Sequence, residues 1–133
     1  MMVGVHALIG ATLGRFCRTP GQAFLVGVAS HMAADLLPHR DLEVPAEAAL
    51  AAAAFGMVGA TQGFTSKELV GAVGATLPDL ENAWAWLHDL PDEALLCPTH
   101  STYHGAKRES VAPQVVLALA CLGLLALPER ESR

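Results

Sequence analysis

The chain has 133 residues, of which 53% are hydrophobic and only 16% charged, and its formal net charge is −5. One domain fits this length, and the charged fraction lies below the roughly 25% typical of soluble domains, which need charge to cover a wet surface. We therefore expect an integral, multi-pass membrane protein in contact with the lipid bilayer. The sequence has no basic stripe or aromatic-basic cluster, which argues against nucleic acid as a partner.

Five apolar segments follow one another along the chain, and each is about long enough to cross or nearly cross a bilayer, which needs roughly 20 helical residues. They run from about Met2 to Phe16, Gln22 to Leu37, Pro45 to Gly63, Lys67 to Leu87 and Val111 to Leu127. Sustained period-two alternation is absent, so no strands are expected. The predicted fold is all-α, a small transmembrane bundle of about five apolar helices in one domain, 1–133. A soluble bundle of buried helices is the alternative, because runs of this length also suit core helices.

Capping residues predict where two of the helices begin. Thr19 and Gln22 have the spacing of a capping box, and Thr65 and Glu68 repeat that spacing before the fourth helix. Pro38 disfavours helical backbone at the residue before it, so the second helix should end close to this proline.

Small residues one helical turn apart suggest close helix packing. Gly10 and Gly14 form one such pair, Gly59 and Gly63 another, and the run Ala48 to Ala54 is rich in alanine. Small faces let helix backbones approach closely in lipid. For the alanine run, simple helix propensity is an equally good explanation.

Three ionisable residues share one stripe of the second helix. His31, Asp35 and His39 are spaced i, i+4 and i+8, so a continuous helix would align them. Such groups are costly in an apolar helix unless they are paired or bind a cation, which predicts a functional site. The alternative is a hydrogen-bonded pair of His31 and Asp35 that only fixes helix packing.

A second polar insertion interrupts the fourth helix, where Pro78 precedes Asp79. The proline removes a helical hydrogen bond and can expose a carbonyl beside Asp79. Alternatively the helix reaches the membrane interface here, with Asp79, Glu81 and Asn82 in water. Trp84 and Trp86 would then form an aromatic belt.

The remaining histidines of interest lie in a loop and on the first helix. His100 and His104 are four residues apart and can share a zinc ion if the segment is helical, although a solvated polar loop is the alternative. His6 lies on an apolar helix, where a lone histidine is more often a satisfied core group.

Counting crossings brings these residues to one side of the bilayer. If all five segments span, the N-terminus, the second-to-third loop and the fourth-to-fifth loop share one side, with His6, His31, Asp79 and His100 near it. Cationic residues are fewer on this side, which places the site outside the cytoplasm. The counts compare Arg15, Arg18, Lys67, Arg130 and Arg133 on the opposite side with Arg40, Lys107 and Arg108 on the site side.

Four short motifs resemble those of the membrane-bound metal-dependent hydrolases and, more distantly, of the helical zinc-dependent phospholipase C proteins. The matching pieces are His6-Ala-Leu-Ile-Gly, Ser30-His31 with Asp35 and Pro38-His39, Leu77-Pro78-Asp79, and Thr99-His100-Ser101. The resemblance implies a metal-binding hydrolase fold. Its implied ligands are His6, His31, Asp35, Asp79 and His100.

The expected function is a membrane hydrolase that acts on an ester or phosphoester, possibly of a lipid, with a divalent metal, zinc being expected. Imidazole and carboxylate ligands suit a cation that activates water for this chemistry. Glu81 or His104 could serve as the general base. The alternative is a non-catalytic metal-binding or structural membrane protein, a subunit of a larger assembly, whose small-residue faces suit a homo-oligomer or helix partners.

Overall fold

The computed structural model of the chain describes residues 1–97 and 110–128, which fold into helices. The helices are α1 (Val3–Arg15), α2 (Pro20–Asp35), α3 (Val44–Gln62), α4 (Lys67–Leu87) and α5 (Ala112–Ala126), with a short 3-10 turn at Asp92–Ala94. The predicted all-α fold is confirmed, and the five predicted segments coincide with the five helices to within a few residues.

The capping box at the start of α2 is confirmed. The Thr19 hydroxyl oxygen accepts from the Gln22 backbone N–H at 3.2 Å, and the Gln22 side-chain oxygen accepts from the Thr19 N–H at 3.3 Å. The predicted cap of α4 is wrong by one residue, because Ser66 holds the extended backbone conformation before the helix and accepts from Leu69 N–H. Adjacent Thr65 and Ser66 are both good caps, so sequence alone does not separate them.

Helices α1, α2 and α4 pack with their backbones nearly in contact around Gly71. A Cβ added to Gly71 would lie 2.2 Å from the Gly10 carbonyl oxygen, and one added to Gly27 would lie 2.3 Å from the Gly71 carbonyl oxygen. Gly14 meets the Lys67 carbonyl oxygen in the same way, at 2.5 Å. The predicted close-packing face of Gly10 and Gly14 is therefore confirmed.

Of the other predicted small residues, Gly59 and Gly63 do not pack closely on a neighbouring helix. A Cβ at Gly59 would meet the ring of Phe64, and Gly63 ends α3 with φ +101°, a conformation that favours glycine. Within the alanine run, Ala54 is buried and most of the other residues are exposed. That interpretation was wrong for Gly59 and Gly63, whose role is to shape the turn after α3.

Among the described helices, α3 is the one long and apolar enough to cross a membrane. The lengths of α1, α2 and α5 are 13, 16 and 15 residues, which is short of the roughly 20 that a crossing needs. Helix α4 is long enough, with 21 residues, but charged side chains interrupt it. Of the five predicted crossings, one is supported by the length and composition of its helix.

The start of α1 meets the end of α2 and the starts of α3 and α5, and we call this the N-terminal end of the bundle. The Gln114 side chain accepts from Met2 N–H at 2.9 Å and donates to the Arg40 carbonyl at 2.7 Å. A Glu47 oxygen accepts from Val3 N–H at 2.8 Å. Buried polar side chains thus tie successive helix ends together here.

The opposite end, which we call the far end, gathers the last turns of α1, α3 and α5. The Arg15 guanidinium donates to the carbonyl oxygens of Leu124 at 2.7 Å, Leu125 at 3.1 Å and Leu127. Gln62 also donates to the Leu125 carbonyl, at 3.1 Å, and Lys67 donates to the Cys17 carbonyl at 2.7 Å. Helix C-termini leave carbonyls without helical partners, and these donors satisfy them.

Candidate metal centre

The structure brings four of the sequence-predicted ligands together near the N-terminal end. His6 comes from α1, His31 and Asp35 from α2, and Asp79 from the second half of α4. His6, His31 and Asp35 are fully buried, and the Asp79 side chain is 11% exposed. Three helices thus converge on one ionisable cluster in an otherwise apolar interior.

One ligand atom each from His6, His31 and Asp79 lies within 4.8 Å of the others. Zinc bonds of roughly 2.0 to 2.2 Å bring tetrahedral ligands to about 3.5 Å from one another. These three residues are therefore close enough together that they could hold one divalent ion. The two imidazole rings already stack, with centroids 3.9 Å apart.

Asp35 orients the His6 ring. Nε2 of His6 lies 3.0 Å from Oδ1 of Asp35, and because an ionised carboxylate only accepts, Nε2 carries the proton and donates. The other ring nitrogen, Nδ1, is then left with its lone pair, and among the described residues it is buried with no hydrogen-bond partner. A carboxylate that holds a histidine in this way is the usual second partner of a metal-bound imidazole.

The His31 ring is oriented by a backbone carbonyl. Nδ1 of His31 lies 2.8 Å from the Ala75 carbonyl oxygen and donates to it, so a neutral ring carries its lone pair on Nε2. That nitrogen faces Oδ2 of Asp35 at 3.2 Å. His31 and Asp35 therefore lie in direct contact inside the buried cluster.

Pro78 lies inside α4, and Asp79 follows it directly. Proline has no N–H, so the Gly74 carbonyl loses its helical donor, and the next carbonyl, that of Ala75, accepts from His31. Oδ2 of Asp79 lies 3.8 Å from Nδ1 of His31. The polar insertion in α4 therefore supplies both a carbonyl and a carboxylate to the cluster.

A second group of charges adjoins Asp35 beyond the end of α2. The Met1 ammonium nitrogen lies 3.0 Å from Oδ1 of Asp35 and 3.0 Å from Oδ1 of Asp41. His39 is buried, donates from Nδ1 to the Leu37 carbonyl at 2.7 Å and places Nε2 3.4 Å from Asp41. His39 lies in the loop and not on the helical stripe, because α2 ends at Asp35. Asp41, two residues after His39, was not among the predicted site residues.

Glu81, a predicted general base, is engaged by the backbone. Its two carboxylate oxygens accept from Leu96 N–H at 2.7 Å and from Cys97 N–H at 2.9 Å, which fixes the segment after the 3-10 turn against α4. Partial burial and the nearby Glu81 carboxylate raise the pKa of the Cys97 thiol. These bonds give Glu81 a structural role, and its catalytic role stays a prediction.

His100 and His104, the predicted ligand and the second predicted general base, lie outside the described residues. The chain matches no protein-family model, no curated protein and no solved structure.

Proposed function

We propose that the protein is a membrane-embedded, divalent-metal-dependent hydrolase that acts on an ester or phosphoester at the lipid interface. The observation that carries the proposal is the buried group of His6, His31 and Asp79, whose ligand atoms lie within 4.8 Å of one another. Imidazole and carboxylate together suit zinc, and a set of three protein ligands is typical of catalytic zinc, whereas structural sites use four.

The roles of the surrounding residues follow from this arrangement. A bound divalent cation supplies a lowered pKa for water and polarisation of a phosphoryl or carbonyl oxygen. Asp35 would hold the His6 ring, and the Ala75 carbonyl would hold the His31 ring, each with one lone pair turned away from its partner. Glu81, two residues after Asp79, is the proposed general base, and His104 is the other candidate. To act as a base, Glu81 would first have to release its hydrogen bonds to the backbone of Leu96 and Cys97.

The surface of the bundle supports insertion in a membrane. Only three of the 19 residues of α3 are buried, namely Ala54, Val58 and Gly59. A core helix of a soluble protein would bury most of its apolar length, so the outer surface of α3 suits lipid. On α5, Val116 and Leu119 are likewise exposed.

Exposed aromatic side chains occur towards both ends of the bundle. Trp84 and Trp86, near the end of α4, are 61% and 78% exposed, and Phe16 and Phe64, near the far end, are 71% and 75% exposed. Tryptophan in particular favours the headgroup region. This distribution supports more than one crossing, in which the shorter helices span with α3 and α4, and the charge bias would place the centre outside the cytoplasm.

A non-catalytic metal-binding or structural membrane protein is the second candidate. The observation that favours it is the burial of the cluster, since His31 and Asp35 have no exposed surface and Asp79 has little. A substrate needs access to the ion, whereas a structural ion does not.

The proposal is tested by metal analysis of the detergent-purified chain together with Asp79→Asn, which keeps the side-chain shape and removes an anionic ligand. We expect the parent to retain zinc and to lose hydrolysis of lipid and phosphoester substrates when zinc is chelated. Asp79→Asn should retain much less zinc, because an anionic ligand is lost. Asp89→Asn, the same change beyond the end of α4, is the matched control and should behave as the parent.

The possible outcomes separate the two functions. Full zinc retention in Asp79→Asn would contradict the proposed centre. Zinc in the parent without hydrolysis of any substrate would favour the non-catalytic candidate.

A further inference from the structure

One face of α4 remains exposed along most of the helix. Its members are apolar side chains at helical spacing, namely Val73, Leu77, Leu80, Trp84 and Leu87. The face is aliphatic as far as Leu80, and tryptophan first occurs at Trp84. Aliphatic side chains favour hydrocarbon, whereas tryptophan favours the headgroup region. The hydrocarbon boundary on α4 is therefore expected between Leu80 and Trp84.

The spacing of charged residues along α4 agrees with this boundary. The sequence contains no charged residue between Glu68 and Asp79. Trp86 follows Lys67 by 19 residues, which is about 28 Å along the helix axis and close to the roughly 30 Å thickness of the hydrocarbon core. One crossing by α4 would therefore place Lys67 at one interface and Trp86 at the other.

The position of Asp79 on α4 gives the depth of the candidate metal centre. Asp79 precedes Trp84 by five residues and Trp86 by seven, which is about 8 and 10 Å along the axis. An average helix tilt of about 20° shortens these depths by only about 6%. The headgroup layer is about 5 to 8 Å thick on each side of a bilayer. With its tryptophans in that layer, α4 would hold Asp79 at the inner edge of the layer.

The rest of the centre shares this depth, because ligand atoms of His6 and His31 lie within 4.8 Å of one from Asp79. In a glycerophospholipid, the carboxylic esters of the acyl chains lie at the inner edge of the headgroup layer, and the phosphodiester lies further towards water. The candidate metal centre is thus level with the acyl esters.

We propose that the bond cleaved is the carboxylic ester between an acyl chain and glycerol, and not the phosphodiester, an inference that rests on the proposed function. Water adds to the acyl carbonyl carbon, the bond from this carbon to the glycerol oxygen breaks, and that oxygen takes up a proton. The products are a fatty acid and a lysophospholipid. Cleavage of the phosphodiester is the competing outcome of the test.

A depth measurement tests the placement independently of hydrolysis. Trp84 and Trp86 are the two tryptophans of the chain, so its tryptophan fluorescence reports the end of α4. In phosphatidylcholine vesicles, bromine on the acyl carbons nearest the ester should quench this fluorescence more strongly than bromine near the methyl end. Trp86→Phe leaves Trp84 alone and should give the same order. The reverse order, or no quenching by either lipid, overturns the proposal.

The substrate test compares two lipids in vesicles that contain the zinc-loaded chain. One is ester-linked phosphatidylcholine, and the other is its diether analogue, which keeps the phosphodiester but has no carboxylic ester. The ester-linked lipid should release fatty acid, and the diether lipid should release nothing. A misplacement of about 1 Å can cost about 100-fold in rate, so fatty acid release should exceed phosphocholine release by at least about 100-fold. Asp79→Asn should lose the fatty acid release, and Asp89→Asn, beyond the end of α4, should behave as the parent.

Failure of this inference is distinguishable from failure of the proposed function. Phosphocholine release from the diether lipid overturns the ester assignment and leaves the hydrolase proposal standing. Equal fatty acid release by Asp79→Asn and the parent places the activity away from the candidate metal centre and overturns the inference. If zinc is retained and neither lipid is hydrolysed, the hydrolase proposal fails, and the ester assignment fails with it.

Discussion

The two ends of the bundle place polar groups in opposite ways. At the far end, donors meet acceptors: Arg15 and Lys67 donate to carbonyls at the C-terminal ends of helices. At the N-terminal end, Nε2 of His31 faces Oδ2 of Asp35, and Nδ1 of His6 is buried with no hydrogen-bond partner among the described residues. Each end buries one acceptor without a hydrogen-bond partner among the described residues, Oε1 of Glu68 at the far end and Nδ1 of His6 at the N-terminal end. At the N-terminal end this acceptor lies in a cluster of further ionisable side chains that could hold a cation.

Removal of metal should give the largest effect, confined to the N-terminal end. If zinc is bound at about a thousandfold its Kd, chelation should lower the free energy of unfolding by about 4 kcal/mol, seen as a lower thermal midpoint in detergent. His31→Ala removes a ligand, so its midpoint should not respond to the chelator.

Arg15→Ala is the matched control from the far end and should keep the full response to the chelator. A parent midpoint that ignores the chelator after confirmed metal removal would contradict the comparison of the two ends.

Asp35→Asn should give the next largest effect. Loss of the carboxylate that holds the His6 ring should weaken zinc binding about 10- to 100-fold, measured by competition with a fluorescent chelator. Asp41→Asn changes a carboxylate that contacts Met1 and His39, and we expect little change in zinc affinity. If Asp35→Asn binds zinc as tightly as the parent, Asp35 only fixes helix packing through its contacts with His6 and His31.

Arg15→Ala should give the smallest of the three effects and should leave the metal unchanged. It removes the charged donors at the end of α5, and hydrogen bonds to a charged group contribute about 2 kcal/mol to the free energy of unfolding. Thermal or denaturant unfolding measures the loss, and Arg15→Lys, which cannot fork between carbonyls, should lose part of it. Reduced zinc content in Arg15→Ala would mean that the two ends are coupled.

The helices and the convergence of the candidate ligands were accessible from sequence for local reasons. Apolar runs and the box of Thr19 and Gln22 fix where helices form. Alternation of helix direction then brings the start of α1, the end of α2 and the second half of α4 towards one end, which is how His6, Asp35 and Asp79 come together.

The remaining features depend on tertiary structure. His39 left the predicted stripe because α2 ends at Asp35, and its new neighbour Asp41 becomes visible only once the loop is placed. The Ala75 carbonyl carries no side-chain signal at all, although Pro78 marks the turn in which it lies. Five crossings were predicted from hydropathy, and one of the described helices, α3, is long and apolar enough to cross a membrane.

The close backbone contacts at Gly71 restrict the movement of α4 relative to α1 and α2. Gly71 lies eight residues before Asp79, which is roughly 12 Å along α4. The Gly10 carbonyl lies against Gly71, and the Gly71 carbonyl lies against Gly10 and Gly27. These contacts prevent α4 from sliding along α1 and α2. The close packing of α1, α2 and α4 thus fixes the positions of His6, His31 and Asp79 along the helix axes. Helices α3 and α5 lie outside this group of three, so a small shift of either would leave the distances between the candidate ligands unchanged.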